Sequence, residues 1–127
     1  MTVGTSPGHA LAERFSRTAS NYAREREAFD ADMLLQFGDA KRLVRVRGGV
    51  VTDIVIPVRP LQSWDFSIWG SEQAWRSYWE PLPQPGWHDI LALSKRGEMR
   101  IEGRLQPLMA NLQAIKDLLA LPREARA

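Results

Sequence analysis

The sequence predicts an α+β domain: a twisted, mostly antiparallel sheet of about five strands, with helices covering one of its faces. Three observations predict it. Through the middle of the chain apolar residues recur at every second position, in "MLLQF", "RLVRVR" and "VVTDIVIPV", which is the period of half-buried strands. Toward both ends the spacing widens to three and four, the period of a helix that buries one face. Glycines and prolines fall between these segments, where the backbone has to turn.

A chain of 127 residues is long enough for one core and too short to divide comfortably, so residues 1–127 are read as a single domain. Apolar content of 44% against 25% charged residues excludes the disordered, collagen-like and coiled-coil classes. No stretch reaches the roughly 18 uncharged apolar residues of a membrane span, and the N-terminus lacks a basic segment followed by an apolar one. No integral membrane span and a cytoplasmic location are therefore expected. The absence of cysteine removes disulfides, thiolate metal sites and thiol nucleophiles.

The first element is a helix. Ser6-Pro7 supplies a cap and a proline at the first helical position, and Leu11, Phe15, Tyr22 and Phe29 form a broken apolar stripe, which predicts an N-terminal helix over 7–29 packed on the sheet by one face. The period of two then begins at Met33. Gly48-Gly49 provides a two-residue hairpin turn that permits positive φ. In "KRLVRVR" Val44 and Val46 face one way and Arg45 and Arg47 the other, the pattern of a strand with a solvated basic face. With charges interspersed along the chain and a net charge of only +2, this gives no footprint for nucleic acid.

"WDFSIW" continues as a strand in which Phe66 and Ile68 oppose Ser67 and Trp69, ending at Gly70. Ser71 caps a short helix whose Trp75, Tyr78 and Trp79 stand at i, i+3 and i+4. "EPLPQPG" cannot continue that helix and is an extended connector. "WHDILALSKRG" forms the next helix, closed by Gly97, and "EMRIEGRL" the last strand, with Met99 and Ile101 on one face. Pro107 opens a final helix carrying Leu108, Leu112, Ile115 and Leu119 as one stripe, ended before Pro122.

No reaction is legible. Neither histidine, His9 or His88, has a partner at a spacing suited to metal or acid/base work, and no phosphate loop, nucleophile elbow or HExxH is present. Neither a metal nor a cofactor is expected, and no catalytic residue is assigned; an enzyme built on His88 and a carboxylate is the weakest option. What remains is an excess of aromatic surface. All five tryptophans fall between Trp64 and Trp87, and such a cluster forms either a dense core or the wall of an apolar pocket or interface. Clustering around loops favours the second.

The segment "SKRGEMRIEGRLQPLMANLQAIKDLLAL" resembles the C-terminal signature of the sterol carrier protein (SCP-2-like) lipid-binding domain. "VRVRGGVVTDIVI" looks like that domain's hairpin, "FSIWGSEQAW" like its strand leading into a short helix, and "HDILALSKRG" like the helix before its last strand. The likeness in order spans about Met33 to Leu121. It departs in "YWEPLPQPGW", which is longer and more aromatic, and at Arg104, where an acidic residue often follows the glycine. The resemblance implies a sterol-carrier-like fold and non-enzymatic binding or carriage of a lipid, fatty acyl or sterol-like molecule in a tunnel between sheet and helices. It further implies that Trp75, Trp79, Trp87, Leu91, Leu108, Met109 and Leu112 line that tunnel; Trp69, at the strand end beside them, completes the expected ligand-binding set. The alternative is a protein-interaction module or homodimer that uses the same tryptophan-rich surface and binds no small molecule.

Overall fold

The computed structural model describes residues 7–20, 22, 28–56, 58–59, 62–87 and 89–125. Helix α1 (Pro7–Ala19) is followed by strands β1 (Ala31–Phe37), β2 (Ala40–Arg47), β3 (Val50–Val55) and β4 (Phe66–Gly70). Then come α2 (Glu72–Tyr78), α3 (Ile90–Lys95), β5 (Met99–Gly103), α4 (Leu105–Ala110), α5 (Leu112–Leu119) and α6 (Leu121–Ala125). The five strands form one sheet in the order β3-β2-β1-β4-β5. Every pairing is antiparallel except the central one, where β4 lies parallel to β1 with Met33 opposite Phe66 and Phe37 opposite Gly70.

The expected alternation holds. Ala31, Met33, Leu35 and Phe37 of β1, Val44 and Val46 of β2, Phe66 and Ile68 of β4 and Met99 of β5 all enter the core beneath the helices. The two turn glycines Gly48 and Gly49 take φ of 61° and 79°, the left-handed pair that a tight hairpin turn demands. Ser71 caps α2 by accepting from Ala74 N. Gly97, at φ 81°, lets Glu98 N reach back to Leu93 O at 2.9 Å, closing α3 as anticipated. Between Arg45 and Val46 the ladder with β3 shifts register, so Thr52 is the extra residue of a bulge.

The first helix is shorter than the expected 7–29. It stops at Ala19, and Tyr22 and residues 28–30 are non-helical. Three hydroxyls near its end bond back onto carbonyls of the preceding turn. Ser16 donates to Ala12 O, Thr18 to Phe15 O and Ser20 to Ser16 O, side-chain bonds that compete with regular helix continuation. Tyr22 is then held elsewhere, as described below. Ser6, its expected cap, lies outside the described residues.

The last helix is three pieces rather than one. It begins at Leu105, two residues before Pro107, and breaks at Asn111 (φ −126°, ψ 32°), whose side-chain amide donates to Pro107 O at 3.0 Å while its N–H turns to Leu108 O. Pro122 is the second residue of α6 rather than a terminator; proline is tolerated in a first turn because the N–H there has no helical acceptor. The expected stripe stays on the core, with Leu108, Ile115 and Leu119 buried and Leu112 packed against them, whereas Met109 and Leu105 beside it are 54% and 46% exposed.

Helix α1 approaches the β1–β2 turn so closely that a Cβ on Gly8 would fall onto Phe37 O and the Asp39 carboxylate. Gly→Ala in a helix ordinarily stabilises by about 1 kcal/mol. At this position the sign is expected to invert, with Gly8→Ala losing about 1–3 kcal/mol through overpacking against backbone, read as a lower urea midpoint at unchanged m-value.

Candidate functional site

The tryptophans divide between different environments. Trp75 of α2 and Trp79, its C-cap residue, are fully buried and pack on Phe37, with ring centroids at 4.7 and 5.7 Å, and on each other at 5.3 Å. Phe15 of α1 completes the group at 5.5 Å from Phe37. Each indole N–H has an acceptor: Trp75 donates to Gln36 O at 2.9 Å and Trp79 to Leu119 O at 2.8 Å. Buried polar atoms require such partners, so both rings are fixed in place. At this end of the domain the space between sheet and helices is filled by the protein's own aromatic side chains.

Trp69 is not with them. It lies on the opposite face of β4, where its indole donates to Gly38 O at 3.3 Å and the Arg100 guanidinium stands 5.1 Å over the ring. Trp87 is half-buried against the edge of the core, with Arg96 at 4.9 Å over its ring and bonded to Gly86 O at 3.2 Å. Leu108 is buried in the core and Leu112 packs against it, Leu91 is half-buried, and Met109 points outward. His88 lies outside the described residues; the cap of α3 is Asp89, which accepts from Leu91 N at 2.9 Å.

The C-terminal helices are latched onto α2. Arg123 donates through both Nε and Nη2 to the Tyr78 carbonyl and its guanidinium covers the Tyr78 ring at 4.8 Å. A cation at a helix C-terminus satisfies an otherwise orphaned carbonyl and opposes the helix dipole. From the other side, Arg14 lies 5.1 Å over the Trp79 ring and bonds Pro122 O at 3.0 Å.

Two depressions lie apart from the aromatic group, one at the α4–α5 break and one along β3, where Val51 pairs with Val46. One, of about 240 Å³, is lined by Ala28 and by Ala110 to Ala114 at the α4–α5 break. The other, of about 300 Å³, is lined by Ser20 and by Val51, Thr52, Asp53 and Ile54. Tyr22 reaches from one to the other: its carbonyl accepts from Val51 N at 3.2 Å and its hydroxyl donates to Ala114 O at 3.0 Å. The sequence stripe had placed Tyr22 inside a helix, so this role was not readable from spacing.

Arg42 was likewise missed, although the period of two already assigns it to the face of Val44 and Val46. It is 3% exposed on the helix side of the sheet, opposite Leu35. Its Nη1 donates to Lys41 O and its Nη2 to Glu13 of α1 at 2.8 Å, while Nε has no partner. On the outer face the expected basic strand surface is present and shares one anion: Arg45 and Arg47 lie 3.1 and 2.9 Å from the Asp32 carboxylate. Among the described residues no group of three or more His, Asp or Glu could hold a metal ion, and no helix is long and apolar enough to cross a membrane.

A helix-covered sheet with one central parallel pair and strand order 3-2-1-4-5 defines the class, and comparison with solved structures places it. The crystal structure of sterol carrier protein 2 matches with a TM-score of 0.63 and 19% identity over 91% of this chain and 95% of that one. The solution structure of a conserved hypothetical protein of Thermus thermophilus, described as a candidate sterol carrier protein, matches with a TM-score of 0.58 and 16% identity over 98% of this chain and 92% of that one. No family model and no curated protein matches the sequence. The chain has the sterol carrier protein 2-like fold.

Burial pushes the Tyr78 hydroxyl up to about 12, against an opposing influence from Arg123. A phenol whose folded pKa exceeds its unfolded value of about 10 keeps its contribution to stability below pH 10 and loses it as pH rises toward 12, because the unfolded chain ionises first. Urea unfolding between pH 9.5 and 12 is expected to show a loss of about 2–3 kcal/mol attributable to this group, and Tyr78→Phe is expected to flatten that part of the profile.

Proposed function

We propose that this protein binds an apolar or amphipathic small molecule of the lipid, fatty acyl or sterol-like class between its sheet and helices, and carries it without covalent chemistry. The observation that carries this reading is the pair of depressions on either side of Tyr22, set in a fold shared with sterol carrier protein 2. Each is at or below the small end of ligand sites, which span about 300–1,000 Å³. Tyr22 is hydrogen-bonded to one lining residue of each, Ala114 and Val51, and on this reading a ligand that displaces Tyr22 occupies both. The filled aromatic end serves as the floor of the ligand compartment, and the ligand lies toward Ala31, Val46 and Val51.

This placement shifts the ligand away from the tryptophans. Trp75 and Trp79 support the compartment by holding α2, α5 and the sheet together. Of the remaining residues first expected to touch ligand, Leu112 borders the depression at the α4–α5 break. Exposed Leu105 and Met109 stand one turn apart on α4, the helix that runs into that break.

Isothermal titration calorimetry with dodecanol, a sterol and an acyl-CoA tests the proposal. At least one class is expected to bind at micromolar concentration with a negative heat-capacity change, the mark of apolar burial; no heat from any class overturns it. Tyr22→Ala is expected to change the dissociation constant about tenfold, equivalent to about 1.4 kcal/mol, whereas Leu82→Ala, on the exposed proline connector, is expected to leave it unaltered.

A further inference from the structure

Strands β3 and β5 are the two outer strands of the sheet. The ladder of β3 carries a register shift, whereas that of β5 with β4 runs from Met99 to Gly103 without one. Along a strand the backbone groups point alternately to either side. Gly70 O accepts from Gly38 N at 2.8 Å and so faces β1, which turns Ser67 and Trp69 toward β5. Their ladder partners Glu102 and Arg100 bond inward, and the N–H and C=O of Met99 and Ile101 face out from the sheet. Among the described residues no hydrogen bond from another element reaches either. Gly103, at φ 102°, then takes the chain out of the strand.

The side chains alternate in the same way. Ile101 lies on the helix side, half-buried against the edge of the core, while Arg100 and Glu102 stand exposed on the outer face. Arg100 rests on the Trp69 ring, and among the described residues neither it nor Glu102 has an ion-pair partner. Charges on an outer strand ordinarily discourage a second strand from adding to it, because like charges directly opposite each other repel. Here the two charges differ in sign and flank Ile101 symmetrically.

We propose that the chain self-associates through β5, which pairs antiparallel with β5 of a second copy about a two-fold axis at Ile101 and joins two five-stranded sheets into one. The two Ile101 residues face each other and exchange both backbone hydrogen bonds, which places each Arg100 opposite a Glu102 in a non-hydrogen-bonded pair, where Cα atoms are only about 4.5 Å apart and side chains lie closest. Both ion pairs form at once, since a two-fold interface repeats each contact. The seam uses a different surface from the buried tryptophans, and the depression along β3 lies at the opposite edge of the sheet, so the inference stands apart from the ligand reading. Pairing consumes the free edge of both copies, and the bulge in β3 keeps the assembly at two. One short strand gives an interface at the low end of the size range, below about 1,200 Å², which corresponds to a weak dimer with a dissociation constant on the order of 100 µM.

Sedimentation equilibrium of the full chain from about 10 µM to 1 mM, in about 50 mM salt to limit screening, is expected to show monomer giving way to dimer. Arg100→Glu and, separately, Glu102→Arg set like charges opposite each other and are each expected to weaken the dimer at least about tenfold. The double variant exchanging the two charges restores opposite signs across the seam and is expected to recover the original dissociation constant within about threefold. Near-ultraviolet circular dichroism of the buried tryptophans confirms the native core in each variant. A wild-type chain that stays monomeric to 1 mM overturns the proposal. So do single variants that dimerise as the wild type does, or a double variant that stays as weak as the single ones.

Discussion

Burying two indoles obliges the chain to supply two carbonyl oxygens inside its core, and meeting that obligation organises the helical layer. Trp75 takes its acceptor from Gln36 on the central strand, and Trp79 takes its acceptor from Leu119 at the end of α5. Helix α2 is thereby fixed to the sheet through one ring and to the C-terminal helices through the next. Each bond contributes only about 1 kcal/mol net, but leaving either donor unpaired would cost more. The cost of error, more than the gain, makes the arrangement specific. Arg14 and Arg123 then close around the same helix from both sides, using the flat faces of Trp79 and Tyr78 as supports.

Much of this is legible in the sequence. Strand periodicity placed Met33, Val44, Val46, Phe66, Ile68 and Met99 on one face because a pleated strand allows no other reading once a single residue is buried. Ser71, Gly97 and the Gly48-Gly49 turn were legible because caps and tight turns impose local demands that few residue types meet. What failed was the length of the terminal helices. Helical spacing continues through Tyr22 and through Asn111, but hydroxyls at Ser16, Thr18 and Ser20 and the amide of Asn111 offer the backbone competing partners, and no periodicity count weighs those.

The same distinction explains the site. A tryptophan-rich run reads equally as core or as ligand wall, since both call for large apolar surface; only the third dimension separates Trp69, on the far face of β4, from Trp75 and Trp79 beneath the helices. Arg42 could have been found, because alternation puts it with the valines and a cation on a core face asks for an explanation. Tyr22 could not, since its partners lie 29 residues away at Val51 and 92 at Ala114.

The bulge at Thr52 has a consequence beyond the geometry of one hairpin. Strand β3 is an outer strand of the sheet, and a straight, unpaired outer strand is a template on which a second copy of the chain can add its own. By inserting one extra residue, the shift between Arg45 and Val46 bends β3 and interrupts its regular row of donors and acceptors, while Tyr22 occupies the amide of Val51 and Thr52 and Asp53 present polar side chains. The edge beside the proposed compartment can therefore stay accessible to a small molecule while resisting growth of the sheet from one molecule into the next.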